Sequence, residues 1–300
     1  MRESKKGFTL IEMIFVIAVT GVIAGMTFIQ ISQIYESLIQ KNYSSEIQNE
    51  ASVVSEQIVS RLSGAFKNSL AAADSTGGGG CKGLSDLTAG ESKNVLMWVA
   101  KSDESERGIW DANVNTYFGW SGVVGSRNNN STTVFPSPAS NLESVEGIID
   151  SLVGETGTLS KNAKSPVALY FHTGGENSIL TGKVCDEFYN DGSGAFKLHP
   201  IKREGSDKIT LLNGSITSNR YSITHAAYAI EKEENGDLWL YMFRPWLSEK
   251  PSSGKTKSLL ARNVSQFGFK YDGGLFRINI CLSKTVNGFK LEGCKERVVF

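Results

Sequence analysis

The 300-residue chain lacks an excess of charge of either sign, with 31 Lys and Arg against 31 Asp and Glu. A balanced chain exerts no long-range pull on nucleic acid or on an acidic membrane surface, and no local basic patch makes up for it, so no nucleic-acid partner is expected. Histidine is scarce. His172, His199 and His225 have no second histidine three or four positions away, so the paired helical ligands of a zinc site are missing. No Gly-x-Ser-x-Gly elbow is present to hold a nucleophilic serine. Ser253-Gly254-Lys255-Thr256 resembles the end of a phosphate-binding loop, but Glu249 occupies the position where that loop needs glycine, and its carboxylate would repel phosphate. Asp186, Glu187, Asn190 and Asp191 offer oxygen ligands for calcium, yet their spacing fits no EF-hand, and an acidic loop is ordinary. The expectation is a protein that is not an enzyme and needs no cofactor or metal.

Hydrophobic residues, by contrast, make up 40% of the chain, enough for a real core, and 31 glycines point to many turns and therefore to strands. Their order is uneven. A short polar leader carrying Arg2, Lys5 and Lys6 against Glu3 precedes an apolar run, Phe8 to Ile29, whose one charged residue is Glu12. As a helix this run is roughly 33 Å long, which matches a bilayer core and exceeds the apolar region of a removable signal peptide. The basic leader places the N-terminus in the cytoplasm and the remainder outside it.

Glu12 is out of place in such a run, because an unpaired carboxylate in an apolar helix costs several kcal/mol. One reading is a side chain near the interface, reaching toward headgroups. The other is an intermolecular partner: if the chain were cut after Gly7, the new amine of Phe8 would lie one helical turn from Glu12. In a staggered array of parallel helices, that amine could neutralise the Glu12 of a neighbour.

Lys6-Gly7-Phe8-Thr9-Leu10-Ile11-Glu12, with its basic leader and apolar span, resembles the processing signal of type IV pilins and type II secretion pseudopilins. The resemblance implies cleavage by a prepilin peptidase between Gly7 and Phe8, N-methylation of Phe8, and filament assembly through Glu12 with other pilin or pseudopilin subunits. It also implies residence in a bacterial inner membrane as a single-pass protein with a periplasmic head, or outside the cell within a filament. The span contains no proline, unlike that of many major pilins; Gly21 and Gly25 are its points of softening or of close helix approach.

Beyond the span, Ile31, Ile34, Leu38, Ile47, Ala51, Val54, Ile58, Leu62 and Phe66 recur mainly at steps of three and four, which predicts an amphipathic stalk to about residue 70. Ala71 to Thr76 and the four glycines Gly77 to Gly80 are expected to end it and to open a flexible loop. The expected organisation is a leader at 1–7, a transmembrane and assembly helix at 8–29, a stalk helix at 30–72 and an exported α+β head at 73–300. That is a pilin-like fold, a long N-terminal helix packed on antiparallel sheet.

Within the head, Asn94 to Ala100 and Pro166 to Thr173 read as strands, separated by a Ser-, Asn- and Gly-rich region at about 101–165 that carries no alignable motif. Inside it, Ser140-Asn-Leu-Glu143 matches a capping box, and Leu142, Val145, Ile148, Ile149 and Leu152 line one face of a short helix. Trp110, Tyr117 and Trp120 could form an adhesive patch or belong to the core. The last third is a series of hairpins. A two-residue turn at Asn235-Gly236 pairs Ile230 with Tyr241 and Tyr228 with Phe243. Gly273-Gly274 pairs Phe269 with Ile278, and Asn287-Gly288 places Cys281 opposite Cys294 unless Gly293 forms a bulge. An exported head favours disulfides; the expected bonds are Cys281–Cys294 and, by remainder, Cys81–Cys185. The order Tyr228-Ala-Ile, Leu238 to Arg244, Leu259 to Phe269 and Arg277 to Leu282 is similar to larger minor pseudopilins of the J type and related minor pilins.

Overall fold

A computed structural model describes residues 9–87, 93–112, 116–126, 131–161, 165–172, 184–189, 198–253, 256–272, 274–286 and 288–300. The chain begins with one continuous 54-residue helix, α1 (Leu10–Ser63), about 80 Å long by helical rise. Two short strands follow, β1 (Ala71–Ala73) and β2 (Lys82–Gly83), and then the central strand β3 (Val95–Ala100). The next stretch holds α2 (Asp103–Arg107), the hairpin of β4 (Ile109–Asp111) and β5 (Thr116–Phe118), β6 (Val134–Pro136) and α3 (Leu142–Val153). It is followed by β7 (Ala168–Phe171), α4 (Val184–Tyr189), β8 (Leu198–Glu204), β9 (Lys208–Leu211) and β10 (Tyr221–Thr224). The final run is all strand: β11 (Ala226–Lys232), β12 (Leu238–Phe243), β13 (Thr256–Ala261), β14 (Val264–Asp272), β15 (Leu275–Val286) and β16 (Phe289–Val298). This long helix followed by antiparallel sheets is the α+β, pilin-like layout expected.

A six-stranded sheet, ordered β13-β12-β11-β3-β1-β2, is the backbone of the head. All six residues of β3 are buried because both faces of the sheet are covered. On one face, Leu96, Trp98, Ile230 and Leu240 meet Ile47, Ala51, Val54, Ile58 and Leu62 of α1, together with Phe267, Phe276 and Ile278 of the three-stranded β14-β15-β16 sheet. On the other face, Val95, Met97, Val99 and Phe243 pack against Ala168, Tyr170 and Phe188. A third core lies between α3 and the five-stranded β10-β7-β8-β9-β6 sheet, around Phe135, Ile149, Leu169 and Tyr221.

Several expectations need correction. The helix stops at Ser63, earlier than the expected 70–72: Gly64 donates its N–H back to Leu62, its carbonyl receives the N–H of Lys101, and Phe66 donates to Val99. Phe66 is therefore a buried residue of the turn and not part of the helical stripe. Ala71 to Ala73 form a fully buried strand between β2 and β3 instead of a helix end, since burial on both faces overrides the helix preference of alanine. Region 101–165 is not irregular, since its short elements enclose a core of their own. The N-cap of α3 is Asn141, whose side chain accepts from Ser144 N–H, while Ser140 bonds Ser137 instead. Leu152 faces solvent, and the buried companion of Leu142, Val145 and Ile149 is Glu146.

The β11–β12 register is one residue from that expected, with Ile230 opposite Leu240 and Tyr228 opposite Met242. The connection is a three-residue loop: Gly236 donates to Glu233 O, Glu233 donates to Asp237 O, and Gly236 sits at φ 86°. A type I turn closed by a left-handed glycine shifts the pairing sum by one relative to a two-residue turn. The two later hairpins pair as expected, with Phe269 opposite Ile278 and Cys281 opposite Cys294. Gly293 makes no bulge in β16 and pairs directly with Leu282.

Candidate functional site

The exposed half of α1 is the feature that no packing inside the chain explains. Leu10, Ile11, Phe15, Ile17, Phe28, Ile31, Ile34 and Leu38 are all more than half exposed, and the first buried helix residue is Ile47. The helix is long and apolar enough to cross a membrane, and the apolar window itself is uncovered. An apolar helix without cover in water is unstable as a free surface, so its surroundings in use must be apolar too.

Glu12 sits in the first turn of this helix. Thr9 is the N-cap: its N–H and its hydroxyl both donate to Glu12 Oε2 at 3.0 Å, and Glu12 N–H donates to Thr9 Oγ1 at 3.4 Å. This capping box satisfies orphan donors at the helix start and fixes the carboxylate on the N-terminal side. Among the described residues Oε1 has no hydrogen-bond partner, so it retains acceptor capacity for a donor from elsewhere. Gly7 and Phe8, the expected cleavage and methylation positions, lie outside the described residues. Thr9 was not singled out from sequence, although Thr-x-x-Glu ahead of an apolar run is a capping signature in plain sight.

The remaining candidates do not converge on a second centre. His172 Nε2 pairs with Ser222 Oγ at 2.8 Å, His199 Nδ1 with Asn213 O at 3.2 Å, and His225 Nδ1 with Ser102 Oγ at 3.0 Å. Burial holds His225 below its ordinary pKa, so it is neutral at pH 7. Ser253 ends a 3-10 turn and Thr256 begins β13, with Gly254 and Lys255 outside the described residues. The side chains of Asp186, Glu187, Asn190 and Asp191, proposed calcium ligands, are likewise outside them, as is that of Tyr117. Trp120 is buried and donates to Ser105 Oγ, whereas Trp110 is 46% exposed. Cys281, Glu292 and Cys294 come together, but both sulfurs are in a disulfide and cannot act as thiolate ligands. The second disulfide joins Cys81 to Cys185, and no cysteine is free.

Residues 2–28 match a family model described as the prokaryotic N-terminal methylation motif. The match covers the leader, the cleavage positions, Glu12 and nearly all of the apolar span. It supports a processed, type IV pilin-like subunit, and such a motif implies handling by a prepilin peptidase and assembly with other pilins. Together with the single apolar helix, it fits a single-pass, membrane-anchored protein. No curated protein and no solved structure matches the chain.

Proposed function

We propose that the chain is a minor pilin-like subunit, a minor pseudopilin of a type II secretion or related filament, and that it occupies the filament tip. The observation that carries this reading is the uncovered apolar half of α1, with an acceptor oxygen of Glu12 left open at its start. Cleavage after Gly7 exposes the amine of Phe8, which is then methylated. That amine on one subunit pairs with Glu12 of the next as apolar helices bundle, with the N-terminus on the cytoplasmic side and the head on the periplasmic side. The head does no chemistry of its own. Its bulk favours the tip, because a repeated subunit must tile at every helical step and a bulky one fits best where repetition stops.

The test is Glu12→Ala. The variant should remain in the membrane and be processed, yet fail to join filaments or to support their activity. Normal assembly with this substitution would refute the assembly role and favour an enzyme or binding protein that uses the helix only for attachment.

A second reading, a minor pilin of a type IV pilus or DNA-uptake filament, is favoured by the exposed Ile109 and Trp110 on the β4–β5 hairpin, which suit contact with a surface. Electron-microscope counts of surface filaments on cells lacking the gene separate the two: loss of filaments indicates a pilus-priming subunit, and unchanged filaments point to secretion or uptake.

A further inference from the structure

A cleft of about 670 Å³ opens beside the C-terminal end of α1, far along the helix from its apolar anchor. Its floor is the part of the six-stranded sheet that α1 stops short of, where Tyr228 and Met242 stand opposite one another. Both side chains are half-buried, and Leu152 of α3 adds an exposed apolar edge. The volume lies within the usual range for ligand-binding clefts of roughly 300–1,000 Å³ and exceeds what one side chain fills.

The polar groups around this floor have a bias. Glu56 is bound by Arg297 at 2.6 Å, and Lys101 faces two carboxylates, Asp103 at 3.4 Å and Glu106 in closer contact. Arg61 lies over the Tyr228 ring at 5.9 Å. Glu104 has no ion-pair partner among the described residues, yet its charge acts on both His225 and Tyr228, which places it over the cleft floor. Asp103 is held above the ordinary carboxylate pKa by desolvation. The C-terminal end of α1 adds the negative pole of its dipole on the same side.

His225 supplies an independent observation. The residue is only 9% exposed and lines the cleft, with Nδ1 turned inward to Ser102. Ser102 is fully buried and is itself reached by Ser105, which receives the Trp120 N–H. Among the described residues no group pairs with His225 Nε2, so the free nitrogen of a nine-tenths buried ring remains for an occupant of the cleft. A neutral imidazole beside an unpaired carboxylate is arranged for a polar, positively charged group and not for an anion.

We propose that this cleft is a docking site for an extended segment of another polypeptide bearing an arginine or lysine. The basic head pairs with Glu104 and Asp103, the stem lies along Tyr228 and Met242, and a polar group of the same segment meets His225 Nε2. Aliphatic stems of basic residues cover apolar surface while their heads stay polar, and methionine adapts to such partners. The cleft is continuous with α1, the element through which subunits are proposed to meet, so the segment belongs to a neighbouring subunit; this assignment of its source rests on the assembly reading.

The test uses the full chain in detergent micelles with isotope-labelled histidine, the His225 signal being identified by its loss in a His225→Gln variant. The probes are the blocked peptide acetyl-Gly-Arg-Gly-amide and its uncharged citrulline counterpart. The arginine peptide should shift the His225 signal saturably in the millimolar range. Glu104→Gln, at an exposed position, should weaken that binding about five-fold, the scale of one partly screened charge pair. The citrulline peptide should bind as weakly to the unmodified chain. A His225 signal unmoved at about 10 mM peptide, equal binding of both peptides, or an undiminished response in Glu104→Gln would each overturn the proposal. None of these readouts depends on filament formation, so failure here leaves the Glu12 experiment to decide the assembly role separately.

Discussion

Removing the two disulfides one at a time tests how the head is held together, because they close loops of very different size. Cys81–Cys185 spans 104 positions and Cys281–Cys294 spans 13. If a disulfide acts mainly by restricting the unfolded chain, the first contributes about 4.7 kcal/mol and the second about 2.9 kcal/mol. The folded state gives the same ranking. Cys281 and Cys294 sit in a hairpin already paired from Arg277–Val298 to Val286–Phe289. Cys81–Cys185 instead ties the segment before β2 to α4, whose Phe188 is almost fully buried in the core on the far side of the central sheet. The assay is urea unfolding of the full chain in detergent, followed by tryptophan fluorescence, with the double variants Cys81→Ala/Cys185→Ala and Cys281→Ala/Cys294→Ala. Alanine avoids burying a new hydroxyl at Cys281, which is 2% exposed. The long-range pair should cost more, by about 1.8 kcal/mol. Equal losses, or a greater loss for the hairpin pair, would refute the loop-closure reasoning and show that local packing around Cys281 dominates.

Gly293 is where β16 meets α1: an added Cβ would lie 2.9 Å from Ile47 Cγ2 and 3.1 Å from the Gln48 backbone nitrogen. Gly293→Ala should therefore push the helix off the sheet at a cost of about 1–3 kcal/mol in urea unfolding, and a neutral result would contradict the close approach. Glu155 is held down to about 2 by the hydrogen bond from Lys161 and then by Arg244, against an ordinary 4.5. A depressed carboxylate pKa stabilises the fold above about pH 4.5, and that contribution is lost as pH falls toward about 2. Solvent screening leaves about 1 kcal/mol of it. Acid titration of stability in Glu155→Gln should show a shallower decline than the unmodified chain over this window, and identical acid limbs would rule the pair out as a contributor.

The parts of the fold that could be read from sequence are those whose signal is both local and unambiguous. The stripe Ile47, Ala51, Val54, Ile58 and Leu62 steps by three and four, and all five side chains are buried against the sheet. The Gly273-Gly274 and Asn287-Gly288 turns are two residues long, so the pairing of Phe269 with Ile278 and of Cys281 with Cys294 follows from counting outward. Asn235-Gly236 carries the same dipeptide signal but closes a three-residue loop, and the side chains cannot reveal which of the two geometries the backbone adopts. Ala71 to Ala73 mislead for another reason: their local preference is helical, and only contact with Val95 to Met97 makes them a strand. The buried Glu146 breaks the apolar face of α3 because Arg203, reaching it at 2.6 Å from β8, is far away in sequence. At the candidate site, the Glu12 anomaly was legible as a charge in an apolar run, whereas its hold on Thr9 required the capping geometry.

A helix of 54 residues with two surface regimes also limits what kind of machine part this is. From Ile47 onward the apolar residues form one stripe, so that half finds its cover in the head of its own chain. From Leu10 to Leu38 exposed apolar side chains succeed one another too closely for any single face of one head to cover them. Salt bridges Lys284–Glu46 and Arg297–Glu56 clamp the covered half to β15 and β16, and the lowest of them stands at the boundary between the regimes. The uncovered half can therefore move from lipid into a bundle of similar helices without disturbing the head, since none of its side chains contributes to the head's cores. Such a transfer exchanges one apolar environment for another, so it supplies little selectivity by itself. A buried charge changes that balance, because a neighbour lacking a matching amine would leave Glu12 unpaired in an apolar setting. The single carboxylate near the start of the helix thus discriminates between correct and incorrect packing where the apolar surface cannot.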